Sequence, residues 1–135
     1  MAYPIIEIQG IGEAYAAKLR AAGLRTTEAF LDSCASPKGR QATAKAVGIA
    51  DGLILKWANH ADLMRIRGVG GQFAELLEAA GVDTVKELKT RKADKLADRM
   101  KEVNGEKNLC KVSPSIAVVA KWIDQAKSLP AKLRY

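Results

Sequence analysis

Apolar residues recur along this chain at helical spacing, in short runs broken by glycine and by small hydroxyl residues. After Gly12, Ala16, Leu19 and Ala22 fall on one face of a predicted helix, and Gly23 supplies a left-handed stop. Thr26 is placed to cap a short helix through Phe30 and Leu31. Ser36 followed by Pro37 is a cap-and-first-turn pair that opens a helix toward Val47. Asp51 is expected to cap the next helix, in which Leu53, Trp57, His60, Ala61 and Met64 form one stripe. Thr84 opens a short helix to about Arg91, and Ala93 to Val103 forms another. Ser113 with Pro114 opens the last, with Ile116, Val119, Ala120, Ile123 and Ala126 as its buried face. No stretch alternates at period 2 for long enough to propose a strand, so the expected fold class is all-α.

The pattern repeats. IQGIGEAYAAKLRAAGLRTTEAFL (8–31) returns as IRGVGGQFAELLEAAGVDTVKELK (66–89) at an offset of 58. Later, LKWANHADL echoes AKWIDQAKSL, and Lys56 and Trp57 match Lys121 and Trp122 at an offset of 65. The second copy therefore carries about seven extra residues, expected within 91–112. The predicted architecture is two pseudo-symmetric helical units, 1–65 and 66–135, packed as one compact domain. Each tryptophan is expected to anchor the last helix of its unit across that unit's glycine turn.

Both copies contain apolar-x-Gly-apolar-Gly-x-x-x-Ala-x-x-Leu. The first glycine ends one helix and the second lets the chain turn at once into the next. Ile11 and Val69 tuck inward, and Ala16 and Ala74 permit close packing. Amides left open at such a turn, and at the helix that follows, can hold an anion without any side chain. The turns resemble the helix-hairpin-helix motif, which grips nucleic-acid backbones in that way. With GIGEAYAAKLRAAGLRTTEAFL, the central LKWANHADLMRIRGVGGQFAELLEAAGVDTVKELK and the terminal PSIAVVAKWIDQAK, nearly the whole chain is similar to the domain-of-unknown-function family 4332, a family of tandem hairpins. The resemblance implies an all-helical fold and a nucleic-acid role, and brings no settled biochemical activity.

The two turns differ chemically. The motif's strongest binders place a Lys or Arg two residues after the second glycine, where Ala14 and Gln72 stand here. Glu13 follows Gly12 and Glu7 lies just upstream, so the turn Gly10, Ile11, Gly12 is the weaker anion site. The turn Gly68, Val69, Gly70, Gly71, Gln72, preceded by Arg65 and Arg67, is the stronger.

Charge adds a second candidate surface. The chain of 135 residues carries a formal net charge of +7, which invites a polyanion partner. Residues 1–31 are neutral, 32–66 carry +2, 67–90 carry −1 and 91–135 carry +6. Arg91, Lys92, Lys95 and Arg99 lead that last segment, with Lys92, Lys95 and Arg99 on one helical face.

Other chemistries find little footing. His60 sits in an apolar stripe, Cys34 and Cys110 lack metal-ligand spacing, and no phosphate-cradling P-loop occurs. Asp83 follows Gly81-Val82 without the proline of the Gly-Pro-Asp-type extension of helix-hairpin-helix glycosylases. No apolar run reaches a membrane span, and MAYPIIEIQG lacks the basic-then-apolar order of a secretory signal. The expectation is a cytoplasmic, non-enzymatic protein without metal or cofactor, binding nucleic acid, DNA ahead of RNA, through phosphate contacts. The alternative is a protein-interaction or scaffold module, including a homo-oligomer.

Overall fold

The computed structural model describes residues 3–135, and among them the chain is all-helical. A 3-10 turn over Ile5–Glu7 leads into α1 (Glu13–Ala21), α2 (Thr27–Ser33), α3 (Pro37–Val47) and α4 (Asp51–Leu63). Then come α5 (Gly71–Ala79), α6 (Val85–Leu88), α7 (Ala93–Lys107) and α8 (Ile116–Ser128). The described residues contain no strand, only one isolated antiparallel bridge between Pro4 and Thr26.

Local chemistry sets the helix boundaries. Thr26, Ser36, Thr84 and Ser115 each accept a hydrogen bond from the amide three residues on, satisfying one open donor of the helix they start. Gly48 and Asn108 close α3 and α7 in the left-handed conformation. Several boundaries differ from the sequence expectation. Ala50, not Asp51, is the cap position of α4, and Asp51 is its first residue. α6 stops at Leu88 rather than near Arg91, and α7 runs four residues past Val103. α8 starts from Ser115 rather than Ser113, and Pro114, expected in its first turn, is buried one residue before the cap. Ile116, expected in the buried face of α8, is half-exposed, and Ala120 is only partly covered.

α4 is the centre of the molecule. It packs against α2 and α3 on one side and α5 on the other, and from Trp57 to Leu63 every residue is buried. α8 packs on α7 and α6, and α5 also meets α7. One continuous, mainly aliphatic core joins all of these elements.

The expected packing of the tryptophans is observed. A Cβ on Gly10 would lie 3.4 Å from Trp57 Nε1, and one on Gly68 would lie 3.2 Å from Trp122 Nε1. Tyr15 packs against Trp57 with ring centroids 5.1 Å apart, and Phe73 against Trp122 at 5.2 Å.

The extra length of the second half falls within the expected 91–112 stretch and runs a few residues past it. The offset is 58 between the caps Thr26 and Thr84, and 56 between Ser36 and Lys92. It is 60 between Gly48 and Asn108, and 65 between the tryptophans. The additions are thus the longer α7 and the 109–115 loop before α8. Arg91 and Lys92 stand just before the lengthened α7, Lys95 and Arg99 lie within it, and all four precede the 109–115 loop.

The first and last described segments fold back onto the helices. Tyr3 and Thr27 exchange two hydrogen bonds, and the Ile5 amide donates to the Arg25 carbonyl. At the other end, Arg134 donates its amide to the Ala35 carbonyl, and Lys132 Nζ lies 3.0 Å from Asp32 Oδ1. The Arg40 guanidinium stacks over the Tyr135 ring, whose hydroxyl reaches Asn59.

Candidate functional site

The second glycine turn is shaped by the residues beneath it. Gly68 takes φ 96°, a conformation that side chains rarely adopt. The Val69 amide then donates to the Ile66 carbonyl, and both of those side chains are buried. Gly70 is extended and stands at the N-cap of α5. The amides of Gly70, Gly71 and Gln72 have no acceptor among the described residues, as expected at a helix start. Gly71 is enclosed from one side: a Cβ there would come within 2.1 Å of the Glu7 carbonyl oxygen. Glu7, read in the sequence as a neighbour of the first turn, thus lies against the second.

The two arginines before this turn have separate fates. Arg65 is 14% exposed in its side chain; it bonds Asp62 Oδ1 at 2.8 Å and the Pro130 carbonyl at 2.7 Å. Asp62, itself buried, also accepts the Val85 amide at 2.8 Å. Arg65 is therefore committed to joining α4, the start of α6 and the C-terminal segment, and is not a free anion ligand. Arg67 is exposed and its side chain makes no ion pair among the described residues. Its backbone is clamped instead: the amide donates to Gln125 Oε1 at 2.9 Å, and the carbonyl accepts from Gln125 Nε2 at 3.2 Å.

Arg65 and Arg67 border a cleft of about 530 Å³ with Lys121, Asp124 and Gln125 of α8. Lys121 was missed as a site residue. Its signal was the echo of Lys56-Trp57 in Lys121-Trp122: once Trp122 is placed against Gly68, its neighbour and the residue three further on must flank the turn.

The second basic cluster also converges. Arg91, Lys92, Lys95 and Arg99 line one shallow cleft of about 200 Å³ with Ala80 and Thr90. Arg91 donates to the Gly81 carbonyl at 3.0 Å and lies 3.5 Å from Glu87, and Arg99 pairs with Glu102 at 2.6 Å. Lys92 and Lys95 have no ion pair among the described residues. This cleft lies at the C-terminal end of α5 and the glycine turn at its N-terminal end, about 13 Å apart at the rise of a nine-residue helix. They share no lining residue.

The first turn, Gly10, Ile11, Gly12, has Gly10 at φ 94°, a buried Ile11 and an extended Gly12. Glu13 occupies the first helical position, and Arg20 approaches it to 3.8 Å. Among the described residues no side-chain clamp like that of Gln125 holds the backbone of Gln9.

Three buried or half-buried titratable groups and one histidine lie away from these clefts' cations: His60, Glu78, Cys34 and Cys110. His60 is fully buried; neither ring nitrogen has a well-aligned hydrogen-bond partner, but Nε2 lies 3.1 Å from Glu78 Oε2. Burial alone would raise the Glu78 carboxyl. The His60 contact and charge, with Lys56, outweigh it and hold the group below the usual carboxylate range. Cys34 and Cys110 are free and buried, and burial pushes both thiols up. Among the described residues no group of His, Cys, Asp and Glu is arranged to hold a metal, and no helix is long and apolar enough to cross a membrane.

Residues 9–129 match the family described as Domain of unknown function (DUF4332). No curated protein matches the chain, and no solved structure does.

Proposed function

The chain belongs to the DUF4332 family, and we propose that it is a non-enzymatic nucleic-acid-binding protein built from two helix-hairpin-helix-like units. In this reading the second turn holds one backbone phosphate. The open amides of Gly70 and Gln72 and the N-terminus of α5 face it, and Arg67 and Lys121 flank it. The carrying observation is that two uncommitted cations, Arg67 and Lys121, border one cleft with Gln125, which clamps the backbone just before the turn. The cleft of Arg91, Lys92, Lys95 and Arg99 holds further phosphates of the same polymer at the other end of α5. Contacts of this kind carry no base information, so binding is tolerant of sequence and steeply dependent on salt. Duplex DNA is the first ligand to try, ahead of RNA. The first turn, with Glu13 at its helix start, is the weaker site and serves packing.

Fluorescence anisotropy with a labelled DNA duplex at low salt tests this reading. Arg67→Ala and Lys121→Ala should each lower the slope of log affinity against log salt by about 1, as expected for one lost phosphate contact. Arg25→Ala, on the exposed surface before α2, should leave it unchanged. An absence of binding at tens of micromolar to duplex DNA and structured RNA would sink the proposal. Equal effects of the three variants would remove the turn from it.

A further inference from the structure

The 109–115 loop has a surface that phosphate binding does not use. Where three residues, Gly48 to Ala50, suffice between α3 and α4, eight join α7 to α8. This loop and the adjoining faces of α7 and α8 enclose a cleft of about 680 Å³. Val112 is 76% exposed and Ile116 is 52% exposed, and both line it. Branched aliphatic side chains held in water at that level mark a surface suited to being covered.

The loop is also held in shape. Buried Asn104 accepts the Cys110 amide at 2.8 Å, and donates to the Cys110 carbonyl at 2.9 Å and to Ser113 Oγ at 3.3 Å. Pro114 is buried, and Ser115 caps α8. The amides of Lys111 and Val112 nevertheless have no acceptor among the described residues. A loop ordered in advance, with apolar side chains and backbone donors facing out, loses little entropy when a ligand arrives.

The charge around the cleft selects the ligand. Lys101 and Lys111 stand on its lining and make no ion pair among the described residues, and Asp98 is its one carboxylate. The N-terminus of α8 opens onto it with no acidic residue in its first turn. No aromatic residue lines it, so it offers no platform for stacking bases. A second copy of a chain with net charge +7 is a poor electrostatic match. We propose that the cleft between α7 and the 109–116 segment is a docking site for an acidic peptide segment of a partner protein. Apolar side chains of the peptide would cover Val112 and Ile116, and its carboxylates would meet Lys101 and Lys111.

The test uses the full chain and three labelled 15-residue peptides. One is an amphipathic sequence of Leu and Glu, the second has Lys in place of every Glu, and the third has Ser in place of every Leu. The Leu–Glu peptide should bind, with amide shifts confined to 97–118, and both control peptides should bind at least about tenfold more weakly. Ile116→Glu, which adds a favourable charge at the start of α8 and leaves the fold intact, should cost a similar factor. Lys111→Glu should weaken the Leu–Glu peptide and improve the Leu–Lys one. Arg67→Glu should change neither, which separates this site from the phosphate cleft. Four results would overturn the proposal: no binding, equal binding of the Glu and Lys peptides, displacement by duplex DNA through Val112 and Ile116, or self-association of the free chain that Ile116→Glu abolishes.

Discussion

The turns at Gly10–Gly12 and Gly68–Gly70 have nearly the same backbone and different surroundings. Their first glycines stand at φ 94° and 96°, and their N-cap glycines at φ −89° and −92°. Each is backed by a tryptophan with an aromatic ring beside it. Beyond that shared frame they diverge. The first turn starts its helix with a glutamate in open space. The second starts its helix with a glycine pressed onto the Glu7 carbonyl, and a glutamine from α8 holds its backbone. The same turn can therefore be a joint filled from within or a braced edge beside a basic cleft. Neighbours in space, more than the Gly-x-Gly pattern, decide which.

The sharpest way to break this comparison is to exchange the residues that start the two helices. Gly71→Glu should cost about 3 kcal/mol, because even a Cβ collides with the Glu7 backbone. Glu13→Gly should cost about 1 kcal/mol or less, since its side chain is exposed. Denaturant melts that gave equal losses would mean the crowding at Gly71 is relieved by a small shift.

Gly68→Ala and Gly10→Ala come next. Each should lose about 1–2 kcal/mol to the left-handed backbone alone. Gly68→Ala should lose the more, as its Cβ sits closer to a tryptophan. Unequal losses in the opposite order would contradict that packing. Gln125→Ala should then cost about 1 kcal/mol through the lost pair of hydrogen bonds. Amide exchange should quicken at Arg67 and stay unchanged at Gln9, which Gln125 does not touch.

The smallest effect is acid-dependent. Glu78 occupies the place where the first copy has Arg20, and its carboxyl is held below the usual range. Such a depressed group stabilises the fold above its unfolded value and loses that contribution as pH falls through the folded one. Glu78→Gln should therefore cost up to about 1 kcal/mol at neutral pH. The gap to the parent chain should close below about pH 4, and a gap persisting there would assign the loss to packing.

Periodicity and capping chemistry made the helices legible, since Thr26, Ser36 and Thr84 act within three residues of themselves. The repeat also revealed that each tryptophan backs a glycine turn. What eluded the sequence were pairings between segments far apart. Arg65 reads as a free cation until Asp62 and Pro130 close on it. Gly71 reads as permissive until Glu7 arrives from the N-terminal end. Lys121 reads as one more matched residue until α8 crosses the turn. The two basic clusters, separated by the length of α5, likewise acquire a spatial relation only through the fold.

The C-terminal segment bears on the speed of folding. Lys132 meets Asp32 across 100 residues of chain. Contacts within the separate helices and their short connections close small loops and form quickly, whereas this one must wait until both halves are ordered. Residues 132–135 thereby join the second half to α2, α3 and α4 of the first. The slowest native contact should be the latch that completes this join, and a chain synthesised from its N-terminus would leave α2 and α3 without that cover until residues 132–135 emerge.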